Sequence, residues 1–309
     1  MSRGTLAVTR DQAMLFVDGR YTAYAEKNSP CPVGSLVGDA PIQFLRRQNA
    51  RSVGFDSAAI TYDQFRFLEK SMQGMQLVAK SALLKALRMR KEKREIEAIR
   101  EAQKLTIRGC EQVISKLKVG VSEEELAFVF EHFIRTHGGS GLSFEPIIAF
   151  GENSAYPHHR SGSTKLKAGQ IVLIDVGAIV NRYHGDLTRV HFFGKVDSEL
   201  EKMLLLTQRA QLSAINAVRP GAKIKDLDLA ARAIFRQAGV EERFTHGLGH
   251  GIGLETHEAP SVRSDGVDAE LILEEGMVFT IEPGLYVPGL GGVRWEDIIC
   301  VTKQGADLC

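Results

Sequence analysis

The chain has 309 residues, of which 44% are hydrophobic and 25% charged, enough for one large domain or for a large and a small one. Its formal net charge of +1 argues against a broad surface for nucleic acid or membrane. No apolar run has the length of a membrane span.

The amino-terminal segment and the cysteines bear on the cellular compartment. The first residues, MSRGTLAVTRDQ, lack the apolar stretch of a secretory signal. The four cysteines lie far apart and form no CxxC pair, which indicates neither a disulfide framework nor a cysteine zinc site. We therefore expect a cytoplasmic protein.

The first eighty residues predict a small α/β unit. The segments TLAVT and AMLFVDG, separated by Arg10-Asp11-Gln12, are typical of a β-hairpin within residues 5–25. Residues 51–80 read as a strand, a helix and a second strand. This unit looks incomplete, because it begins as if in the middle of a domain.

A basic segment follows, from Lys85 to Arg94. One interpretation is a nucleic-acid patch, which would show salt-sensitive binding. The other is the solvated start of a long helix, because apolar residues recur at three- and four-residue steps from Ile96 to Leu117, and Gly120 follows as a stop. We favour the helix, since no aromatic residues lie among the charges.

Three more helices are expected after the first. Ser122 and Glu125 form a capping box for a helix to about Thr136. The others run from about Ser198 to Val218 and from about Ile224 to Gln237, each ended by glycine or Pro-Gly. Strand-like stretches lie between and after the two helix pairs, so the order of elements suggests a weak internal duplication and an α+β fold.

Two acids occupy a predicted hairpin, IVLIDVGAIVNRYHGDLTRVHFFG. Asp175 and Asp186 are equidistant from its centre, which predicts that they lie nearly opposite each other with Cβ atoms roughly 5 Å apart. Either acid alone could mark a turn or a strand end. Two opposed carboxylates in apolar strands would repel and lose solvation, unless a cation lies between them.

A second hairpin, MVFTIEPGLYVPGLGGVRWEDIICV, repeats the arrangement. Glu282 and Glu296 are equidistant from Gly289. The stretch HGLGHGIGLETHE adds His250, and its glycines leave bare backbone beside the histidines. These five ligands, four of them carboxylates, suit two divalent ions that hold a water between them. HExxH, P-loop and GxSxG motifs do not occur.

In order and spacing, IDVGAIVNRYHGDLTR, HGLGHGIGLETHE, FTIEPGLY and VRWED resemble the metal-dependent aminopeptidases of the pita-bread fold: aminopeptidase P, prolidase and methionine aminopeptidase. The resemblance covers roughly residues 90–305. It implies a curved antiparallel sheet covered by two helix pairs in residues 83–309. Residues 1–82 resemble the later half of the aminopeptidase P-like amino-terminal domain, in truncated form.

The resemblance also implies roles for individual residues. Asp175, Asp186, His250, Glu282 and Glu296 match the metal ligands, and Glu282 also matches the proton-shuttling glutamate. His257 matches the histidine that steadies the tetrahedral intermediate. His158 and His246 match histidines of the substrate pocket, whereas His159 and His184 are expected to be structural. Arg294 is expected to orient Glu296, and Trp295 either crowds the metal strand or packs in the core.

The implied function is hydrolysis of an amino-terminal Xaa-Pro bond by an Xaa-Pro aminopeptidase that uses a dinuclear metal-bound hydroxide. Manganese is favoured over cobalt, zinc or iron because the ligands are mostly carboxylates. The alternatives are an Xaa-Pro dipeptidase (prolidase) and a pita-bread relative that is creatinase-like or non-catalytic. The expected partners are peptides with proline at the second position, without nucleic acid or membrane, and a homodimer is possible.

Overall fold

The computed structural model describes residues 4–81 and 83–309, which form two compact units, Met1–Leu84 and Lys85–Cys309. The predicted domain boundary lies between residues 82 and 83, and Ala82 is outside the described residues. Within the described ranges, no helix is long and apolar enough to cross a membrane. The four cysteines, Cys31, Cys110, Cys300 and Cys309, are free thiols.

The first unit is an α/β arrangement around a small apolar core. Strands β1 and β2 form the predicted hairpin, β3 adds to β2 in parallel, and β4 pairs in parallel with β5. Phe16, Ile42 and Met72 lie at the centre of its core. The elements are β1 Gly4–Val8, β2 Ala13–Val17, α1 Thr22–Asn28, β3 Val33–Ser35, α2 Ala40–Arg47, β4 Ser52–Asp56, α3 Tyr62–Ser71 and β5 Gln76–Lys80.

The second unit has four principal helices, arranged as two packed pairs. Helices α5 and α6 share an apolar core with strands β7, β8 and β11, and α7 and α8 share another with the later strands. Its elements up to the second helix pair are α4 Lys85–Met89, α5 Lys93–Ser115, α6 Glu123–Thr136, β6 Gly141–Leu142, β7 Ile147–Phe150, β8 Gln170–Val176, β9 Ala178–Val180, β10 Tyr183–His184, β11 Leu187–Phe193, α7 Ser198–Ala217 and α8 Ile224–Gln237.

The remaining strands complete the antiparallel layer. Five of them form a sheet in the order β13-β12-β14-β17-β18, and β15 pairs with β16. Their bounds are β12 Gly249–Gly251, β13 Glu258–Val262, β14 Val278–Ile281, β15 Gly284–Val287, β16 Gly291–Arg294, β17 Asp297–Thr302 and β18 Gly305–Leu308. This arrangement of antiparallel strands under two helix pairs is the expected pita-bread architecture.

The basic segment does not begin the long helix as predicted. Lys85–Met89 form a separate short helix, and residues 90 and 91 are held in an extended path by backbone pairing with Gly276 and Met277. Helix α5 starts only at Lys93, where Glu92 and Glu95 form a capping box. At residues 90 and 91, backbone pairing therefore determines the conformation, although the local sequence favours a helix.

The register of the first acid-bearing hairpin also differs from the prediction. Asp175 pairs with Thr188 rather than with Asp186. Asn181 and Arg182 both have positive φ, 50° and 73°, as in a two-residue turn of type I′ that joins Val180 to Tyr183. This turn moves the hairpin centre by one residue, so Asp186 lies diagonal to Asp175 on the same face.

The second acid-bearing hairpin has the predicted register. Val278 pairs with Cys300 and Gly284 with Arg294, so Glu282 and Glu296 lie at matching heights between these two ladders.

Replacement of Arg182 by glycine tests the turn geometry. A non-glycine residue in the left-handed region costs about 1–2 kcal/mol, so Arg182→Gly should raise the free energy of unfolding by about 1 kcal/mol. Arg182→Ala keeps the strain and serves as the matched control. Urea denaturation measures both, and a glycine variant no more stable than the alanine variant would contradict the turn assignment.

Candidate active site

One cavity of about 440 Å³ is lined by all eight residues predicted for the site. This volume is in the range of small-ligand sites. The residues reach it from separate strands and loops of the second unit, and they are Asp175, Asp186, His250, Glu282 and Glu296, with His158, His246 and His257.

Three of these side chains form the tightest group. Ligand atoms of Asp186, His250 and Glu296 all lie within 4.8 Å of one another. The Nε2 atom of His250 is 3.7 Å from Asp186 Oδ2 and 3.3 Å from Glu282 Oε1. Two carboxylates and an imidazole at this spacing suit a divalent cation.

The pKa values of the buried acids also indicate a cation site. Burial, and then repulsion from Glu296, raises the pKa of Asp186 well above its usual range. Burial also raises the pKa of Glu296, and repulsion from Glu282 is the next largest cause. The pKa of Glu282 is itself raised to about 7, mainly by burial. A cation among these groups would restore ordinary ionisation, because its charge favours the carboxylate forms.

Asp175 is held by one cation and leaves an oxygen unused. Its Oδ2 accepts a hydrogen bond of 2.5 Å from Arg294 Nη2. Its Oδ1 is buried without a hydrogen-bond partner among the described residues. A buried oxygen without a donor is costly in a folded protein, and a bound metal ion would satisfy it. The donor set at this cavity therefore fits metal binding.

The imidazole of His250 is suited to bind a cation. Burial lowers its pKa, so the neutral ring that ligates metals is the favoured form. Its Nδ1 lies 3.1 Å from the Gly251 carbonyl, which fixes the Nδ1–H tautomer and turns Nε2 toward the acids.

The glycines on either side of His250 are required by the packing of the sheet. A Cβ atom at Gly249 would lie 2.1 Å from the Thr280 carbonyl oxygen, and one at Gly251 would lie 2.1 Å from that of Ala259. Both neighbours are backbone atoms that cannot yield. These glycines therefore permit close packing of the strands on either side, and Gly249 also lines the cavity.

Thr188 and Tyr286 belong to the site but were missed in the sequence. The Thr188 hydroxyl donates to Glu296 Oε2 at 2.7 Å and accepts from Arg294 Nε at 3.1 Å. Arg294 therefore acts on Glu296 through Thr188, and on Asp175 directly. Only the alternation of the strand LTRVHFF, which turns Thr188 to the same face as Asp186, could have indicated this role.

Tyr286 joins Arg294 to His246. Its phenol oxygen accepts from Arg294 Nη1 at 2.9 Å and donates to His246 Nε2 at 2.8 Å. His246 Nδ1 then donates to the Gly247 carbonyl at 2.8 Å. This neutral tautomer agrees with burial, which lowers the pKa of His246 to about 4. The sequence signal for this role is the tyrosine in the apolar strand GLYV, because the hydroxyl of a buried tyrosine needs a hydrogen-bond partner.

His257 lies next to His250, with ring centroids 4.1 Å apart. The following residue, Glu258, is held by Lys91, whose Nζ donates to its Oε1 at 2.7 Å, and by Arg88. The Lys91 side chain is only 2% exposed, and burial lowers its pKa. This buried ion pair fixes the chain beside His257.

The two histidines expected to be structural, and Trp295, have partners outside the metal group, although His159 also lines the cavity. His159 Nε2 contacts Glu123 at 2.8 Å, and His184 Nδ1 contacts the Gly253 carbonyl at 3.1 Å, as expected of structural histidines. Trp295 stacks under Arg189, whose guanidinium carbon is 4.5 Å from the ring centroid. The indole is half-buried and does not line the cavity.

The basic segment 85–94 makes ion pairs within the unit. Five of its six cations contact acids, which leaves little free charge for a nucleic acid. The pairs are Lys85–Asp268, Arg88–Glu258, Arg90–Glu274, Lys91–Glu258 and Arg94–Glu92.

Comparison with known proteins identifies the family. Residues 97–303 match the metallopeptidase family M24, and residues 1–90 match the creatinase/prolidase N-terminal domain. The chain belongs to metallopeptidase family M24. It is therefore a metal-dependent hydrolytic enzyme with a pita-bread fold, as the sequence motifs predicted.

Three relatives show the extent of the similarity. The putative dipeptidase YkvY of Bacillus subtilis is 38% identical over 264 residues, 85% of this chain and 72% of that protein. The Xaa-Pro dipeptidase of Pyrococcus furiosus is 33% identical over 98% of this chain and 86% of that protein. The solved Xaa-Pro dipeptidase from Bacillus anthracis has a TM-score of 0.95 and 31% identity, covering 100% of this chain and 87% of that one.

Removal of the Thr188 hydroxyl should weaken metal binding by this M24 enzyme. Thr188→Val deprives Glu296 of a donor and Arg294 of an acceptor, and losses of this kind lower metal affinity about 10- to 100-fold. Thr188→Ser keeps the hydroxyl and is the matched control. Chelator-competition titrations measure the affinity, and equal affinity for the valine and serine variants would argue against this link.

Loss of Lys91 should destabilise the second unit. Lys91→Met leaves Glu258 buried with Arg88 as its remaining cation, at a cost on the order of 2–4 kcal/mol. The control is Arg90→Met, which breaks an exposed pair with Glu274 and should cost about 1 kcal/mol or less. Thermal unfolding compares the two, and equal losses would contradict the importance of burial here.

Proposed function

We propose that this enzyme hydrolyses Xaa-Pro dipeptides, as the prolidases do. The observation that carries the peptidase assignment is the convergence of four carboxylates and His250 on one cavity, with an oxygen of Asp175 that has no hydrogen-bond partner in the described part of the chain. The relatives reported above carry the names dipeptidase and Xaa-Pro dipeptidase. They favour the dipeptidase over the aminopeptidase, which was the first expectation.

We assign metal binding to Asp175, Asp186, His250, Glu282 and Glu296. Their number and charge suit two divalent ions, with manganese favoured and cobalt, zinc or iron as alternatives. When bound, such ions act as Lewis acids toward the peptide carbonyl and lower the pKa of a water molecule. The protein's part is to orient these ligands through Arg294 and Thr188.

The remaining steps belong to side chains. Glu282 accepts a proton from the attacking water and delivers it to the departing proline nitrogen. It is positioned by Thr280, whose hydroxyl donates to its Oε1 at 3.2 Å. His257 donates a hydrogen bond to the oxyanion, where negative charge develops. His158 and His246 line the same cavity and contact the peptide.

Activity assays on the manganese-loaded protein test this proposal. We expect cleavage of an Xaa-Pro dipeptide with kcat/KM at least about tenfold higher than for an Xaa-Pro-Xaa tripeptide. Glu282→Gln should lower kcat by about 10²-fold or more, since it removes the proton-transfer group. His132→Asn, an exposed histidine of helix α6, is the control that should keep full activity.

The contrary outcomes are distinct. A preference for the tripeptide would indicate an aminopeptidase, and no cleavage of either peptide by metal-loaded protein would disprove the Xaa-Pro assignment. The homodimer implied by the family resemblance stays a prediction that sedimentation analysis tests, and the cytoplasmic location stays a prediction as well.

A further inference from the structure

Two of the acids at the site lie in breaks between strands. Glu282 lies between β14 and β15, and Glu296 lies between β16 and β17. Their backbone N–H groups donate to the carbonyls of Leu248 at 2.8 Å and of Thr188 at 3.3 Å. Residues in such breaks are outside the regular ladders of a sheet, so the position of each carboxylate depends on the contacts that hold the backbone beside it.

Arg189 holds the backbone of Glu296 from the reverse face of the sheet. Successive residues of β11 point to opposite faces, so Arg189 lies on the face opposite to Thr188. Its Nη1 donates to the carbonyl of Glu296 at 2.6 Å and to that of Thr188 at 3.0 Å. One nitrogen of the guanidinium thus joins β11 to the break that carries Glu296.

Helix α7 supplies a corresponding contact beside Glu282. The buried Gln211 donates from Nε2 to the carbonyl of Ile281, the preceding residue, at 3.3 Å. The same nitrogen donates to Asp297 Oδ2 at 2.8 Å. Asp297 Oδ1 in turn accepts from Arg189 Nη2 at 2.6 Å, so Asp297 joins the two contacts.

Gln211, Asp297 and Arg189 therefore form a continuous chain of hydrogen bonds, which we call the brace. It runs from the backbone beside Glu282 to the backbone of Glu296. Its two links at Asp297 involve a charged group, and such hydrogen bonds are stronger than neutral ones. The brace thereby fixes how far apart the two glutamates lie.

Trp295 packs on the brace. The guanidinium carbon of Arg189 lies 4.5 Å from the centroid of the indole ring, at the distance of a cation–π contact. This stacking orients the guanidinium plane while its nitrogens make the hydrogen bonds described above. Trp295 directly precedes Glu296 and is the one tryptophan of the sequence, so its fluorescence reports on the brace.

We infer that Arg189 and Gln211 are positioning residues, which hold Glu282 and Glu296 at the separation that metal binding needs. This inference rests on the metal ligands of the proposed function. Neither positioning residue is among the described residues that line the cavity, so both act through the glutamates. Metal sites require ligand distances within about 0.2 Å of their preferred values, so a small change in this separation lowers the affinity.

Manganese binding to the metal-free protein, measured by chelator-competition titration, tests this inference. Arg189→Met and Gln211→Leu should each lower the affinity about 10- to 100-fold, the range expected when a partner of metal ligands is lost. Arg189→Lys keeps the charge but not the paired donors of the guanidinium, so its loss should be smaller.

Arg100→Met is the matched control. Arg100 pairs with Asp307 at 2.5 Å, and its side chain is 31% exposed, compared with 24% for Arg189. Its replacement removes an ion pair of similar exposure outside the brace. The manganese affinity of this variant should therefore equal that of the unmodified protein.

Two further measurements distinguish the brace from two separate contacts. The double variant with Arg189→Met and Gln211→Leu should lose no more affinity than about the larger single loss, because either change already interrupts the chain. In metal-free protein, Gln211→Leu should also shift the emission of Trp295 in the same direction as Arg189→Met, because it frees Asp297 and so loosens the guanidinium.

The contrary outcomes are separate. Unchanged affinity in Arg189→Met or in Gln211→Leu overturns the inference, and so does an equal loss in Arg100→Met. Additive losses in the double variant overturn it as well. If the unmodified protein binds no manganese, the inference fails together with the metal assignment. The expected losses in a protein that cleaves no Xaa-Pro peptide would support the inference and contradict only the proposed substrate.

Discussion

Mutual repulsion among buried carboxylates is the constraint on which the second unit depends. Asp175, Asp186, Glu282 and Glu296 converge on one cavity, and among the described residues one buried guanidinium, that of Arg294, lies against them. Such an arrangement opposes folding on its own. It persists because two apolar cores and continuous antiparallel ladders hold the strands in place, and because family members bind metal ions that supply the missing positive charge.

The polar links around Arg294 give this charged centre its order. One chain of hydrogen bonds runs from Asp175 through Arg294 to Tyr286 and His246, and a branch reaches Glu296 through Thr188. Each donor in it is matched by an acceptor, so each side chain has one favoured orientation. Asp175, Glu296 and the neutral His246 thereby belong to one hydrogen-bond network, in which displacement of one member disturbs the others.

Much of this architecture could be read from the sequence, where local signals agree with the tertiary structure. The bounds Glu123–Thr136 and Ile224–Gln237 match the predicted ones, because a capping residue or a glycine marks each end. The register of Glu282 and Glu296 followed from the symmetry of their hairpin about Gly289. The fold and the family followed from motifs with fixed spacing.

The sequence predictions failed where the structure is determined by contacts between residues far apart in the sequence or by the conformation of a turn. Asp175 pairs with Thr188 because Asn181 and Arg182 adopt a turn that needs positive φ at both positions, which asparagine favours but arginine does not. The long helix starts late because Lys91 pairs with the backbone of Gly276, far away in the sequence. Thr188 and Tyr286 went unnoticed because their importance lies in partners more than 35 residues away, His246 and Glu296 among them.

The glycines at 249 and 251 couple catalysis to sheet assembly. Each lets a neighbouring strand come into contact with the backbone beside His250, so the imidazole is fixed by the spacing of three strands and not by its own rotamer alone. Any side chain at either position would wedge those strands apart and carry the ring away from the acids. Substitutions should therefore be tolerated as poorly at these two glycines as at the histidine itself, although the glycines have no side chain that could bind metal or substrate.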